Sequence, residues 1–269
     1  MPELPEVEVT RRGLAPRISG RTISGVVVRE PRMRWPIPRG LQRLAGRTVR
    51  AVKRRGKYLL VDCGTGHLIL HLGMSGSLRV LPSDTPAGKH DHFDLLLGDR
   101  VMRLRDPRRF GAVLWTGAPP ETHPLLAHLG IEPLSRDLDG ARLFALTRGA
   151  RVSIKQFLMD GRRIVGVGNI YASESLFRAG ISPRRRAGRV SAGESAALSR
   201  EIKQTLREAI RAGGSTLRDF VRSTGEAGYF QQSYFVYDRA GKPCRRCGGE
   251  VKRIVQGQRA TYFCPRCQR

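Results

Sequence analysis

Apolar residues along this chain follow two periods, and the change between them divides the sequence. Near the start they recur at spacings close to three, four and seven residues, at Leu4, Val7, Leu14 and Ile18. This spacing predicts an amphipathic helix. After Gly20 short β-rich runs replace the pattern, and from about residue 121 it becomes helical again. The order of helix, strands and helices predicts an α+β fold.

Eight short runs predict the β part of the chain. Turn residues such as Gly64-Thr65-Gly66 and Gly98-Asp99 separate them at close intervals. Short strands in this arrangement predict a β-sandwich or a barrel. The runs are Thr22 to Arg29, Thr48 to Val52, Tyr58 to Cys63, His67 to Leu72, Ser77 to Leu81, His92 to Leu97, Val101 to Leu104 and Ala112 to Trp115.

Helical signals dominate the second half. Ser191 and Glu194 have the spacing of a capping box, and apolar residues then recur every four positions until Gly213-Gly214 ends the helix. A second helix is predicted from residue 169 to residue 176. The stretch from 213 to 237 is rich in Gly, Ser and Thr, and we interpret it as a long, partly mobile loop. The apolar positions of the helix that follows Ser191 are Leu198, Ile202, Leu206 and Ile210.

The charge of the chain narrows the choice of partner. Lys and Arg total 49 against 23 Asp and Glu, a net charge of +26 that is spread along the whole length. A folded chain with so much self-repulsion usually binds a polyanion, and nucleic acid and anionic membrane both fit. No apolar run approaches the roughly 20 residues that span a bilayer, and a signal peptide is not apparent. We therefore expect a soluble protein in the cytoplasm.

The cysteines predict a metal site. Cys63 stands alone, whereas two C-x-x-C pairs separated by 16 residues lie near the end of the chain, at Cys244, Cys247, Cys264 and Cys267. This spacing predicts a tetrahedral site for one zinc ion. Four protein ligands leave no open position, so the zinc should be structural. A pair of disulfides is the alternative, which an intracellular chain disfavours.

Residues 250–255 and 259–263, between the cysteine pairs, alternate like two strands of a hairpin. A zinc clamp at its base would present Arg259 near the tip of a stiff hairpin. Alternatively, Arg259 is one more surface arginine in a segment that has seven Arg or Lys and one Glu.

The first residues offer a candidate nucleophile. If Met1 is trimmed, Pro2 carries a secondary amine close to the carboxylates of Glu3 and Glu6. An α-amino group has a pKa of roughly 8, so a sizeable neutral fraction exists near pH 7. Condensation at a sugar C1′ would give a cationic iminium, which promotes elimination. The alternative is that Pro2 is the second residue of an ordinary protein.

Four loop features are individually ambiguous. Residues 166–169, Gly-Val-Gly-Asn, could direct helix N–H groups at a phosphate or could form a turn. His90-Asp91-His92 is more typical of a surface facing solvent or a polyanion than of a metal site. Met74 lies between glycines, and Lys57 is a candidate ligand or a surface lysine at a strand end.

A loop at residues 105–110 places an aromatic side chain beside several cations. Arg108 and Phe110 could fill a gap in stacked bases. Alternatively, the loop is solvated and Phe110 packs into the core.

Taken together, these segments resemble the bacterial formamidopyrimidine-DNA glycosylases, the 8-oxoguanine repair enzymes, over essentially all 269 residues. The resemblance implies a bifunctional DNA glycosylase and lyase with a structural zinc ion. The motifs that carry it are MPELPEVE, RRGKYLL, HLGMSGSL, KHDH, DPRRFG, VGVGNIYASE, GYF, VY and the terminal C-x-x-C with QRATYFCPRC.

The resemblance also implies three domains. These are a catalytic β-sandwich with its N-terminal helix at 1–120, a helical DNA-binding domain with a helix-two-turns-helix motif at 121–235, and a zinc finger at 236–269. Double-stranded DNA with oxidised bases or abasic sites would be the partner of a monomer.

The family's functional residues can be carried over position by position. Pro2 would be the Schiff-base nucleophile, Glu3 the acid that assists sugar ring opening, and Glu6 a neighbour of both. Lys57 would donate a proton in β-elimination and bind phosphate, and Arg259 would grip phosphates and assist δ-elimination. The residues expected to contact DNA are Met74, Arg108 and Phe110 in the void left by the flipped base, and His90, Arg151, Lys155 and Asn169 on the backbone, with the position near Ala150 and Arg151 uncertain by one residue.

The resemblance leaves two other functions to consider. An endonuclease VIII-like glycosylase for oxidised pyrimidines typically has Gly where Leu4 stands and lacks the full set of Met74, Arg108 and Phe110. A zinc protein that binds damaged DNA without catalysis would show the same charge. Both are secondary to excision of oxidised purines, namely 8-oxoguanine and formamidopyrimidines, followed by β- and δ-elimination.

Overall fold

The computed structural model describes residues 2–214 and 234–269. These form two compact units, of which the first comprises residues 2–127 and 212–214 and the second residues 128–211 and 234–269. Strands and helices are segregated along the chain, which confirms the predicted α+β class. The domain boundaries after residues 120 and 235 stay a prediction. Among the described residues, no helix is long and apolar enough to cross a membrane.

The first unit begins with helix α1, Leu4–Ile18. Glu3 is its N-cap residue and shares a capping box with Glu6, so the helix is fixed from its first turn. Leu14 and Ile18 on its inner face are fully buried in the core. The predicted amphipathic helix is therefore confirmed.

Strands form at all eight predicted runs, although β2 begins three residues later than predicted and ends at Arg55 instead of Val52. They lie in two four-stranded antiparallel sheets ordered β1-β6-β7-β5 and β2-β3-β4-β8. Residues of both sheets and of α1 share one apolar core, as in a sandwich. β1 is shorter than its predicted run because Thr22 forms only an isolated bridge with Thr48. The strands are β1 Gly25–Val28, β2 Ala51–Arg55, β3 Tyr58–Asp62, β4 His67–His71, β5 Ser77–Pro82, β6 Asp91–Leu97, β7 Arg100–Arg105 and β8 Ala112–Thr116.

Four α-helices lie in the described residues of the second unit. Its longest helix begins with the predicted capping box: Ser191 N–H donates to Glu194 Oε2 at 2.9 Å, and Glu194 N–H donates to Ser191 Oγ at 3.2 Å. The helix predicted from residue 169 also forms and is two residues longer than expected. The helices are α2 Gly140–Thr147, α3 Ile154–Met159, α4 Asn169–Arg178 and α5 Ala192–Arg211.

A hairpin of β9 Lys252–Gln256 and β10 Arg259–Phe263 completes the second unit. Gln256 pairs with Arg259, so the turn has two residues, Gly257 and Gln258. Both have positive φ, 52° and 61°, which defines a type I′ turn. An apolar cluster packs the base of the hairpin on α4, through Phe177, Val236, Cys244, Val251 and Cys264.

Met1 and most of the loop predicted at 213–237 lie outside the described residues, as does the GYF motif at 228–230. Residues 213, 214 and 234–237 are described.

Candidate functional site

The predicted nucleophile and its two carboxylates lie at the start of α1. Pro2, Glu3 and Glu6 are all buried. Glu3 N–H donates to Glu6 Oε2 at 2.8 Å, and the Glu3 carboxylate accepts the backbone N–H of Glu6. The capping box that starts the helix therefore also fixes two carboxyl groups beside Pro2.

The backbone of Gly214 lies against this cluster. Its φ is +81°, and a Cβ there would come within 3.3 Å of Glu6 Cγ and Oε1. A side chain at position 214 would be strained by its backbone and would crowd Glu6. The glycine predicted to end the long helix thus also makes room for a carboxylate of the candidate site.

Lys57 lies in the turn between β2 and β3. Arg55 pairs with Tyr58, which leaves Gly56 and Lys57 as a two-residue turn. Gly56 has φ 56° while Lys57 is not among the residues with positive φ, the signature of a type II′ turn. The turn presents Lys57 at a position that the pairing of the two strands fixes.

Two charged residues that sequence reasoning missed connect α1 to this turn. Arg54 Nε donates to Glu8 Oε2 at 3.2 Å, and Arg54 Nη1 donates to the carbonyl of Gly56 at 2.9 Å. Glu8 and Arg54 belong to the MPELPEVE and RRGKYLL segments, but they are 46 positions apart. No local pattern indicates such a pairing.

Glu8 stays anionic. Burial alone would raise its pKa, but hydrogen bonds from Arg11 and Arg12, together with the charges of Arg11 and Arg54, outweigh burial and lower the pKa to about 2. Glu8 is therefore a permanent negative charge at neutral pH.

The two loops predicted to fill a base-sized void are held together by Asp106, which is fully buried. Ser75 Oγ donates to Asp106 Oδ1 at 2.6 Å, and Gly111 N–H donates to Asp106 Oδ2 at 2.7 Å. A Cβ at Gly73 would meet the Phe110 carbonyl carbon at 2.3 Å, so the loops touch through their backbones. The structure thus brings Met74 close to the loop of Arg108 and Phe110.

Phe110 is a surface residue and does not pack into the core. It is 43% exposed, and the Arg108 guanidinium lies 4.9 Å from the centre of its ring. An exposed aromatic ring beside a cation could stack against a nucleic-acid base.

His71 is another residue that sequence reasoning missed. Its Nδ1 accepts the N–H of Gly73 at 3.0 Å, next to Met74. Burial, and then the charges of Lys57 and Arg34, lower its pKa to about 4, so the ring is neutral at pH 7. A neutral His71 is what the hydrogen bond from Gly73 requires.

The structure divides His90-Asp91-His92, which were predicted to face solvent or a polyanion: His92 is buried, only 6% exposed, so the surface prediction is wrong for that residue. The His92 ring bonds to the carbonyl of Asp106 at 2.9 Å through Nε2, and His90 is half-buried. Among residues 2–214 and 234–269, the cluster able to hold a metal ion is formed by cysteines and includes neither histidine.

In the second unit Arg259 is exposed at the first position of β10, and Arg151 is exposed ahead of α3. Lys155, in contrast, is only 1% exposed. Its Nζ donates to the Ala260 carbonyl at 3.0 Å and to Thr261 Oγ1 at 2.6 Å. Asn169 Nδ2 donates to the same carbonyl at 3.0 Å. These two contacts of Lys155 are to the zinc hairpin, and its predicted contact with DNA stays a prediction.

A fourth missed residue, Glu174, anchors the chain that enters the zinc finger. This carboxylate is fully buried and accepts the backbone N–H groups of Phe235, Val236 and Tyr237 at 2.8–3.0 Å. Burial raises its pKa, although the three N–H groups oppose that change. It lies within the VGVGNIYASE segment, in which the sequence indicated a role for the glycines and Asn169 but not for Glu174.

The four cysteines of the two C-x-x-C pairs form a zinc site. Their sulfur atoms all lie within 4.8 Å of one another, with Cys244 and Cys267 3.9 Å apart and Cys247 and Cys264 3.5 Å apart. Tetrahedral zinc with Zn–S bonds of about 2.3 Å needs sulfurs about 3.8 Å apart. The residues present therefore fit zinc, and four protein ligands make its role structural.

Three family profiles match the chain in order. They are the formamidopyrimidine-DNA glycosylase N-terminal domain at residues 1–113, the formamidopyrimidine-DNA glycosylase H2TH domain at 129–221, and a zinc finger found in FPG and IleRS at 241–269. Together with the sandwich and the cysteine site, these matches define the class of zinc-finger DNA glycosylases.

Full-length relatives agree with this class. The formamidopyrimidine-DNA glycosylases of Paraburkholderia phymatum and Thioalkalivibrio sulfidiphilus are each 59% identical, with 100% of both chains covered. The MutM (FPG) protein of Thermus thermophilus is 40% identical over 99% of this chain and 98% of its own, with TM-score 0.89. Lactococcus lactis Fpg in complex with DNA containing an abasic site is 34% identical over 99% of each chain, with TM-score 0.90. The chain belongs to the formamidopyrimidine-DNA glycosylase family.

Proposed function

We propose that this chain is a bifunctional DNA glycosylase and lyase of base excision repair. It excises oxidised purines, 8-oxoguanine and formamidopyrimidines, from double-stranded DNA and cuts the strand by β- and δ-elimination. The observation that carries the proposal is the buried cluster of Pro2, Glu3 and Glu6 at the start of α1. Full-length relatives named formamidopyrimidine-DNA glycosylase support it.

The chemistry begins at the nitrogen of Pro2 once Met1 is removed. The nitrogen attacks C1′, the bond from C1′ to the damaged base breaks, and the base leaves with a proton. Glu3 protonates the ring oxygen as the sugar opens, which gives a cationic iminium between Pro2 and C1′. That iminium acidifies the C2′ protons.

Strand cleavage follows from this acidity. Loss of a C2′ proton expels the 3′ phosphate in β-elimination, with Lys57 as the proton donor. A second elimination expels the 5′ phosphate, with the assistance of Arg259, which holds phosphate oxygens. The sugar leaves as an unsaturated fragment, and phosphates remain on both sides of the gap.

Extrusion of the damaged nucleotide precedes this chemistry because C1′ is inaccessible inside a stacked duplex. Met74, Arg108 and Phe110 fill the void, and the contact between their loops supports this role. His90, Arg151 and Asn169 contact the DNA backbone, and Lys155 contributes through the strand that it holds. The net charge of +26 supplies affinity that falls with salt.

We further propose that the protein acts as a monomer in the bacterial cytoplasm, where its substrate is the nucleoid DNA. Zinc has no step in the reaction and holds the hairpin that carries Arg259.

Incision assays test the proposal. Duplexes with one 8-oxoguanine, one formamidopyrimidine or one oxidised pyrimidine are incubated with excess enzyme, and the products are separated by length and end group. We expect faster cleavage at both purine lesions, with phosphate at both new ends. Preference for the pyrimidine lesion would favour the endonuclease VIII-like alternative, and binding without incision would favour the non-catalytic one.

A further inference from the structure

We propose that Arg54 is a positioning residue that fixes Lys57 relative to the N-terminal helix, acting through Glu8 and the carbonyl of Gly56. The inference rests on the role proposed for Lys57 above. It extends that function to a side chain that would act through Lys57 and not on the reacting atoms.

The contacts of Arg54 reach two elements at once. Its Nε bonds Glu8 on α1, and its Nη1 bonds the carbonyl of Gly56, which belongs to the peptide that joins Gly56 to Lys57. One guanidinium therefore connects the helix that starts at the nucleophile with the peptide bond of the proton donor. Backbone pairing of β2 and β3 fixes the turn within its own sheet but makes no connection to α1.

The environment of this bridge suits a permanent ion pair. The side chains of Glu8 and Arg54 are each 11% exposed, so solvent screens their attraction less than that of a surface pair but does not remove the screening. Glu8 also accepts hydrogen bonds from Arg11 and Arg12, which hold its carboxylate in place. The anchor on α1 is thus itself fixed.

Only a guanidinium fits both partners. Arg54 uses two nitrogens of a planar fork, one toward a carboxylate and one toward a carbonyl. A lysine at this position keeps the charge but offers one nitrogen on a flexible stem, and methionine keeps the volume and offers no donor. Graded losses are therefore expected from Arg54→Lys to Arg54→Met.

Such a bridge affects the reaction because proton transfer requires accurate placement. A displacement of about 1 Å can cost about 100-fold in rate even when it originates away from the reacting atoms. Without Arg54, the turn that carries Lys57 keeps its strands but loses the bonds that link the Gly56 carbonyl to Glu8 on α1.

A double-mutant cycle tests the inference in the full-length zinc protein. The single-turnover rate of strand cleavage is measured at a preformed abasic site in duplex DNA for wild type, Arg54→Met, Lys57→Ala and the double variant. We expect Arg54→Met to lower the rate ~10- to 100-fold in the wild-type background and less than about 2-fold in the Lys57→Ala background.

Arg12→Met is the matched control. Arg12 also bonds Glu8, at 2.9 Å, but it is largely exposed and has no bond to the Gly56 carbonyl in the described structure. We expect its cleavage rate to stay within about 2-fold of wild type. Arg54→Lys should retain part of the activity. The fraction of enzyme trapped on DNA by borohydride should stay unchanged in the Arg54 and Arg12 variants.

The outcomes separate the two proposals. A wild-type rate for Lys57→Ala would overturn the role proposed for Lys57, and the inference about Arg54 with it. An equal loss from Arg54→Met in both backgrounds would overturn only the inference about Arg54. If Arg54→Met does not fold, the same cycle with Arg54→Lys decides in the same way.

Discussion

Two hairpins of this protein each present one cation proposed to act on DNA, and they are held by different means. The β2–β3 hairpin carries Lys57 in a type II′ turn, and Arg54 connects it to α1. The β9–β10 hairpin carries Arg259 beside a type I′ turn, and its base is the zinc site. The first hairpin depends on a carboxylate and a guanidinium, and the second on a metal and a buried ammonium.

The two hairpins are held by different means because they differ in how much of the surrounding fold packs against them. β3 lies inside a four-stranded sheet and contributes Leu59 and Val61 to the core. Within residues 2–214 and 234–269, β9 pairs with β10 alone, and most of its residues are exposed. An isolated two-stranded hairpin is marginally stable in water, so it needs the metal and Lys155. The comparison therefore predicts that zinc and Lys155 matter to one hairpin and Arg54 to the other.

Zinc removal should have the largest effect. Structural zinc contributes on the order of 10 kcal/mol to the folding of small metal domains, so chelation should disorder the second hairpin. We expect strand incision to fall more than about 100-fold, and circular dichroism should retain the helices and the sandwich. Restored zinc should restore activity. Unchanged DNA affinity in protein shown by elemental analysis to lack metal would refute the proposed role of zinc.

Replacement of Lys155 should have the second-largest effect. Lys155→Met removes two charge-assisted hydrogen bonds from a buried site, and we expect a loss of about 2–4 kcal/mol in unfolding free energy. DNA affinity should fall with it, as measured by fluorescence anisotropy. Lys203→Met is the control, because Lys203 also donates to a carbonyl, that of Ser135 at 2.7 Å, away from the hairpin. Equal loss of DNA affinity in both variants would contradict the role given to Lys155.

The two turns should differ in their tolerance of asparagine. A type I′ turn accepts Asn at its first central position, whereas a type II′ turn prefers Gly there. Gly56→Asn should therefore cost about 1–2 kcal/mol in urea unfolding, and Gly257→Asn less than about 1 kcal/mol. The reverse order would show that the turn types are not what distinguishes the hairpins.

The smallest expected effect is the contribution of Glu8 to the pH dependence of stability. The pKa of Glu8 is about 2 in the folded protein, below its ordinary value of 4.5. Its contribution to stability is therefore fully present above pH 4.5 and is lost as the pH falls toward 2. Since the carboxylate is partly exposed, we expect about 1 kcal/mol. In urea titrations, Glu8→Gln should be less stable than wild type at pH 6, and the difference should shrink by pH 3. A constant difference would contradict this assignment.

Local sequence patterns predicted much of the fold and of the zinc site. The eight strands, the capping box at Ser191 and the two C-x-x-C pairs are each encoded within a few residues, so spacing alone reveals them. The resemblance carried over Pro2, Glu3 and Lys57 because the motifs that contain them are short and continuous.

Contacts between distant residues could not be predicted in this way. Arg54 meets Glu8 across 46 positions, and Lys155 meets Ala260 across 105. The resemblance placed Lys155 among the residues that contact the DNA backbone, and a lysine is almost never fully buried unless its charge is paired or hydrogen-bonded. Only the fold shows that its ammonium is directed at β10.

Covalent trapping tests the central claim, that Pro2 forms the bond to deoxyribose. The enzyme is mixed with a duplex containing 8-oxoguanine, reduced with borohydride and digested, and the peptide that carries the sugar is identified by mass spectrometry. We predict one adduct on the N-terminal peptide that begins at Pro2, with trapping greatly diminished in Pro2→Gly. An adduct on another residue, such as Lys57, or undiminished trapping in Pro2→Gly, would contradict the account.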